Sequence, residues 1–305
     1  MIILGAGLAG CLAGCMEREA AIYEASPKLV VGHRAVLRFR EDKIARALGI
    51  PFQAVKVRKA VFSDGHLKDW CSPRDANNYS RKVIGRIESR SILDLETVTR
   101  FIAPDNLHEI MAAMIGSRIK WDTPIERLSA TMLNDIEREG CPIISTIPIT
   151  TLHEVTGTAK EDEFNYQGIT TERWTVKESN VHQTIYFPDP EHPMYRATLT
   201  GQHLMIESVG FTNAQQQKLV MHAFGLFDRD VEFHMSKHQR YGKIESLPSK
   251  RRKELLLNFT VKHNVYSLGR FACWRNILLD DVYEDLFKIR AMIGMGHYDL
   301  MRSIT

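Results

Sequence analysis

The stretch MIILGAGLAGCLAG, residues 1–14, decides how the rest of the chain is read. Ile2, Ile3 and Leu4 form a short apolar run that suits a buried parallel strand. Gly5 permits a tight turn after it. Gly7 has no Cβ, so a backbone there lets a pyrophosphate come close, and Gly10 lets a helix lie tightly on the strand. Leu8 to Glu19 is rich in Ala and Leu and reads as that helix, with its first amides facing the phosphates. Ala20 to Tyr23 reads as a second strand, and Glu24 at its end is placed to accept hydrogen bonds from ribose hydroxyls. The distance from Gly5 to Glu24 is close to the ~20 residues that a dinucleotide-binding turn requires. Lone glycines in this pattern are weak evidence. Strand, glycines, helix, strand and terminal acid in order are much stronger.

Bulk properties set the limits around this motif. The 305 residues suffice for one large domain or two modest ones. A net charge of +3 is too small to imply nucleic acid by itself. The charge is uneven, however: Arg34, Arg38, Arg40, Lys43 and Arg46 cluster early, and Lys250, Arg251, Arg252 and Lys253 form a run. Each is read first as a solvated face and second as a surface for a polyanion such as DNA. Five cysteines with no C-x-x-C spacing suggest a reduced, cytoplasmic protein without a zinc site. The apolar start is broken by glycines and by Glu17 and Arg18, unlike a secretory leader, and no run is long enough for a bilayer.

Further along, a helix is expected from about Glu41 to Leu48, and alternation around Asp64-Gly65 signals a hairpin. NNYSRKVIGRIES (77–89) reads as polar and irregular. Asp105 to Ile115 reads as a helix, Arg118 to Trp121 as a short strand, and CPIISTIPI (141–149) as an apolar strand and turn. From about His153 to His263 the texture turns to strands with polar interruptions, with one helix in TNAQQQKLVMHAFGLF (212–227). NVYSLGRFACWR (264–275) then gives a strand and a Gly turn, and LLDDVYEDLFKIRAMI (278–293) a final helix. The expected fold class is α/β: a Rossmann-like nucleotide-binding domain with an inserted, mainly antiparallel-sheet substrate domain. The expected division gives 1–45, 85–152 and 263–305 to the first domain and 46–84 and 153–262 to the second.

Taken together, ILGAGLAG (3–10), YEASP (23–27), IISTIPI (143–149) and YSLGRFACWRNILLDDV (266–282) resemble FAD-dependent enzymes of the amine oxidase, protoporphyrinogen oxidase and UDP-galactopyranose mutase group. The resemblance covers about half of the chain and is looser in the inserted region. It implies FAD as cofactor. Gly5, Gly7, Ala9 and Gly10 would meet the pyrophosphate, Glu24 with Ala25 the adenosine ribose, and backbone near Ile125 the adenine. Arg34, Gly269 and Arg270 would also contact the cofactor, the last two along the pyrophosphate and ribityl chain. Amides at Asp281 and Val282 would face the flavin pyrimidine, where a helix N-terminus stabilises negative charge. The compact chain, with HRAVLRFREDK (33–43), also resembles flavoproteins of bacterial viruses that hypermodify thymine. One of that kind oxidises glycine attached to the thymine methyl group.

A flavin supplies the redox chemistry, and the protein supplies binding and orientation. The candidate catalytic residues are Arg196, Arg275, Tyr195, His182, His33 and Trp274; the arginines suit a substrate carboxylate or phosphate. Each has a plainer reading as a core aromatic, a packed histidine or a structural ion pair. Three functions follow: oxidation of a C–N bond in an amine or amino-acid substrate, a mutase-like non-redox reaction on a nucleotide sugar, or non-catalytic FAD or NAD binding. The partners expected are a small molecule or modified base, with DNA through the basic clusters, no membrane and no metal.

Overall fold

A computed structural model describes residues 1–30, 37–124, 141–158 and 164–295. Along the chain the elements are β1 (Ile2–Leu4), α1 (Leu8–Met16), β2 (Ala21–Tyr23), β3 (Arg38–Phe39), α2 (Lys43–Leu48), β4 (Gln53–Ser63), β5 (His66–Lys68), α3 (Pro73–Ile84), β6 (Val98–Ile102), α4 (Leu107–Ile115), β7 (Ile119–Lys120) and β8 (Ile143–Ser145). There follow α5 (Ile149–Thr156), β9 (Tyr166–Val176), β10 (His182–Tyr186), β11 (Met194–Thr200), β12 (His203–Ser208), α6 (Ala214–Ala223), β13 (Val231–Ile244), α7 (Ser249–His263), β14 (Val265–Ser267) and α8 (Leu279–Gly294). They form two compact units, one of residues 1–52, 103–165 and 245–305 and one of 53–102 and 166–244.

The first unit is built on a parallel sheet in the order β14-β8-β1-β2-β7. Its strands are short because each is an apolar run closed by a turn. Ile3, Leu4, Ile22, Ile143, Ile144 and Val265 are fully buried, as strands covered on both faces require. From β1 the chain crosses to β2 on one side, while β8 lies on the other. The strand order therefore reverses at the carboxyl end of β1, the place where open α/β sheets form a binding crevice.

The second unit is a mainly antiparallel sheet, β13-β9-β12-β11-β10-β4-β6, with β5 added to β4 and β10 parallel to β4. Asp64 and Gly65 both have positive φ (53° and 78°), the geometry that a two-residue hairpin needs. One face is apolar: Ile185, Ala197, Leu199, Leu204 and Ile206 are at most 2% exposed and belong to one cluster with Val220 and Met221 of α6. The other face packs Val61, Ile169, Tyr186 and Tyr195 with Tyr79 and Val83 of α3.

The parallel sheet and the mainly antiparallel second sheet are the α/β class expected. Several local expectations change. NNYSRKVIGRIES is not irregular, since its first half lies in α3. Ser72 Oγ accepts the amide of Asp75, Pro73 opens the first turn, and Gly85 closes the helix at φ 76°. Helix α1 stops at Met16, and the basic run 250–253 lies in the first turns of α7. The division of the chain also differs. Residues 98–102 pair antiparallel with 53–57, which puts 85–102 in the second unit, while 46–52, 153–165 and 245–262 stay in the first.

Candidate functional site

The crevice at the end of β1 is made by three glycines with different tasks. Gly5 turns at φ +91°, donates its amide to Tyr23 O, and receives Thr146 Oγ1 on its carbonyl at 3.2 Å. A Cβ on Gly10 would collide with the Gly5 carbonyl, so this glycine lets α1 sit directly on the turn. Gly7 differs from both. It is exposed, has an ordinary φ of −68°, and a Cβ there would meet nothing within 4 Å. The packing of the protein itself makes no demand for glycine at position 7. The amides of Leu8, Ala9 and Gly10 begin α1, where helix geometry gives them no intrahelical acceptor. An open glycine beside unpaired helix-start amides is an anion cradle.

At the end of β2, Glu24 is oriented by two amides. Ala6 N–H donates to Oε2 at 2.7 Å and Ser26 N–H to Oε1 at 2.9 Å. An ionised carboxylate has lone pairs to spare after two bonds, so both oxygens can still accept from a ribose diol. Glu24 and Ala25 line a cavity of about 360 Å³ together with Gly5, Thr123, Pro124, Ile147, Thr151 and Glu154. The last five were not foreseen; they come from two segments, 123–124 and 147–154, that meet only in the fold. Thr146 and His108 were also missed. Thr146 Oγ1 donates to Leu4 O (2.7 Å), and His108 Nε2 bonds Ala6 O (2.9 Å), holding the turn from two sides.

The turn after β14 reaches the same loop. Gly269 has φ +101°, and a Cβ on it would lie 3.0 Å from Ala9 Cβ. Arg270 begins a compact turn in which Cys273 N–H donates to Gly269 O and Arg275 N–H to Arg270 O. Other expectations in this region change. Trp274 is fully buried against Phe164, with ring centroids 5.2 Å apart, and has no surface to offer a substrate. Arg275 forms an ion pair with Asp285. The amides of Asp281 and Val282 both donate to Leu278 O, so Leu279 and Asp280 carry the helix-start amides of α8 that lack an intrahelical acceptor. Arg40 pairs with both Asp280 and Asp281. His33, Arg34 and Ile125 lie outside the described residues.

In the second unit, Tyr195 and Arg196 act on each other's neighbour rather than outward. Tyr195 is 0% exposed and donates its hydroxyl to Glu207 Oε1 at 2.9 Å. Arg196 grips both Glu207 oxygens. The Arg196 guanidinium, the Tyr195 hydroxyl and Lys243 together outweigh burial and hold the Glu207 carboxyl down at about 2. Burial, reinforced by Glu207, pushes the Tyr195 phenol well above its ordinary range. Tyr195 is thus a core residue, and Arg196 half of a structural ion pair.

The strand register puts three rows on that face. Tyr186, Arg196, Glu207, Thr171 and Lys237 form one, Thr184, Thr198, Met205, Arg173 and Met235 the next, and His182, Thr200, His203, Thr175 and Glu232 the third. Of the expected catalytic residues, this face carries His182, Arg196 and, turned in beside Glu207, Tyr195. Arg173 and His203 were missed; they are 30 residues apart and meet only through the β9–β12 register, with Arg173 Nη2 donating to His203 Nδ1 at 3.2 Å.

The early basic cluster is largely neutralised. Arg40 pairs with Asp280 and Asp281, Lys43 with Glu41 and Glu284, and Arg46 with Asp42. Among the described residues, no group of three or more His, Cys, Asp or Glu could hold a metal ion, and no helix is long and apolar enough to cross a membrane.

The class defined by this geometry is a dinucleotide-binding α/β fold with an added antiparallel sheet. Solved structures share this architecture. A reduced UDP-galactopyranose mutase superposes with a TM-score of 0.66 at 15% identity, over 98% of this chain and 95% of that one. The PF1083 protein from Pyrococcus furiosus gives 0.56 at 10% identity, over 97% of each chain. Tar14, a tryptophan C-6 flavin-dependent halogenase from taromycin biosynthesis, gives 0.52 at 10% identity, over 98% of this chain and 73% of that one. No protein-family model matches the sequence, and no curated protein matches it.

Proposed function

We propose that this protein is an FAD-dependent oxidoreductase that oxidises a C–N bond of an amine or amino-acid substrate, with glycine-linked thymine in bacteriophage DNA as that substrate. The observation that carries the cofactor is Gly7. It is a glycine that the protein's own packing does not need, beside helix-start amides and a cavity headed by Glu24. A pyrophosphate over Gly7 accounts for its missing Cβ, and Glu24 accepts the ribose hydroxyls. FAD is favoured over NAD because the turn at Gly269 closes on Ala9, which adds a second backbone segment to the cradle.

When bound, FAD supplies the hydride acceptor for the carbon bearing the amine. The chain contributes binding: α1 amides to the phosphates, Glu24 to the adenosine end, and the polar sheet face of the second unit to the substrate. No protein nucleophile is required. The reading places the protein in the cytoplasm of the infected cell, with the basic run Lys250 to Lys253 at the start of α7 as the surface that meets DNA.

A second reading has its own support. The likeness to a UDP-galactopyranose mutase runs the whole length of the chain, which favours a non-redox reaction on a nucleotide sugar. The test is anaerobic. The FAD-loaded protein is mixed with DNA carrying glycine-modified thymine, and the oxidised-flavin absorbance is followed. Bleaching that reverses in air, with peroxide released, supports amine oxidation. No bleaching, together with turnover of a nucleotide sugar only after prior flavin reduction, moves the assignment to the mutase-like reaction. Failure to take up FAD overturns both.

A further inference from the structure

Helix α4 lies along α1 because α1 carries small residues where the two meet. A Cβ on Gly14 would come 3.2 Å from Ile115 Cδ1, and Cys15 Sγ donates to Met111 O at 3.6 Å. His108, Met111 and Ile115 are spaced i, i+3, i+7 and share one face of α4. Met111 and Ile115 are buried, as a packed stripe requires. Ile115 meets the last turn of α1 and His108 the turn that precedes it, so the helices run in the same direction. Position 108 would suit another apolar residue of that stripe, yet it holds an imidazole. Its Nε2 lies 2.9 Å from Ala6 O. A carbonyl only accepts, so the ring carries a proton on Nε2 and donates it. Cys11 Sγ adds a weaker donor to the same oxygen at 3.2 Å. The other side of the residue is held too, since Ala6 N–H donates to Glu24 Oε2. Ala6 is 3% exposed and Gly7 is exposed, so the peptide that joins them passes from interior to surface. That peptide is trans and planar, with its N–H directed opposite to its C=O. Holding the Ala6 carbonyl towards α4 therefore turns the Gly7 N–H away from α4. Glycine is the residue least able to resist rotation of the peptide before it, because it has no Cβ. The plane is set from outside, by the bond from α4.

We infer that His108 is a positioning residue for the diphosphate: it holds the Ala6–Gly7 peptide so that the Gly7 amide joins the helix-start amides of α1 in meeting the anion. The inference rests on the reading of this turn as the cofactor cradle, and it names the residue outside the glycine motif on which the shape of that cradle depends. The role is confined to the phosphates. The adenosine end is met by Glu24 and the cavity beside it, which His108 does not line.

The experiment is calorimetric titration of the cofactor-free full chain with FAD, ADP and adenosine. His108→Leu is expected to weaken FAD and ADP about tenfold and adenosine about twofold or less. His108→Gln, whose side-chain N–H can reach the same carbonyl, is expected to recover most of the loss. A purely structural role would weaken all three ligands alike, and that result overturns the inference. So does FAD affinity unchanged in a folded His108→Leu protein. A second measurement needs no variant. Nitrogen NMR of the wild-type imidazole in alkaline buffer is expected to show the proton on Nε2; a bare Nε2 with the proton on Nδ1 overturns the inference, because such a ring cannot donate to Ala6 O. A wild-type protein that takes up neither FAD nor ADP overturns the cofactor reading and the inference with it, whereas unchanged binding in His108→Leu overturns the inference alone.

Discussion

Gly7→Ala and Gly10→Ala form a matched pair that separates folding from cofactor binding. At Gly10 the added methyl collides with the Gly5 carbonyl oxygen and lies 3.0 Å from both the Gly5 carbonyl carbon and Thr146 Oγ1, where unstrained heavy atoms keep roughly 3.5–4.0 Å. Neither neighbour can yield easily. Gly5 is fixed by its amide bond to Tyr23 O, and Thr146 is anchored to Leu4 O. Overpacking of this kind costs about 1–3 kcal/mol, and the gain in helix propensity from Gly to Ala returns about 1 kcal/mol. Because the obstruction is backbone, the upper end applies, and a net loss of about 2 kcal/mol is expected. At Gly7 the same methyl meets nothing, and the cost is the poorer N-cap, about 1 kcal/mol or less. The methyl does, however, stand where the pyrophosphate is placed. Urea unfolding of the cofactor-free proteins measures the first quantity, and quenching of FAD fluorescence on titration measures the second. Gly7→Ala should unfold close to wild type and bind FAD at least about tenfold more weakly. A Gly7→Ala protein that keeps wild-type FAD affinity would refute the placement of phosphate over this residue and the cofactor argument built on it.

Three further outcomes follow from buried charge. Glu207→Gln leaves Arg196 without its counter-ion; a loss of about 2–3 kcal/mol is expected by urea unfolding, towards the low side because a third of the Arg196 side chain stays in water. The wild-type Glu207 carboxyl, held near 2 against an ordinary 4.5, contributes stability that is present above pH 4.5 and lost as pH falls through 2, so the Gln variant should show a flatter acid limb. Lys82 donates to Phe187 O at 2.7 Å and Met194 O at 3.0 Å, and burial lowers its ammonium from 10.5 to about 7. The folded state then binds fewer protons than the unfolded one between those values, so stability should rise from pH 7 towards pH 10.5, and Lys82→Met should abolish that rise in a pH series of melts. Arg118 donates to Gly14 O, Glu17 O and Ala20 O at the end of α1; Arg118→Ala should cost about 2 kcal/mol and raise amide exchange in α1 more than in α8.

What could be read from the sequence divides along a physical line. The β1–α1 turn was legible because its glycines act within a few residues of one another, and Glu24 follows at a fixed crossover length. Its supports were not, since Thr146, His108 and Arg118 reach the turn and helix from about a hundred residues away or more. Helix α3 was legible in principle from Ser72, Pro73 and Asp75, but the polar window was read from its middle, where the capping residues are out of view. Tyr195 and Arg196 were misread for a different reason. Strict alternation would send consecutive residues to opposite faces. An irregularity between Met194 and Arg196 breaks the register, and both side chains arrive at Glu207.

The glycine motif itself carries two kinds of information that its letters do not separate. Gly5 and Gly10 are required by the protein, one by its φ of +91° and the other by contact with the turn. Gly7 is required by neither, and a position that tolerates a side chain yet carries none points to something outside the chain. The same reasoning applies to the two faces of the second sheet. Apolar residues opposite α6 are explained by the fold, and so is Arg196 on the other face, which Glu207 holds. Where burial and packing account for a residue, no ligand need be invoked. At Gly7 they do not, and the proposed cofactor supplies the missing account.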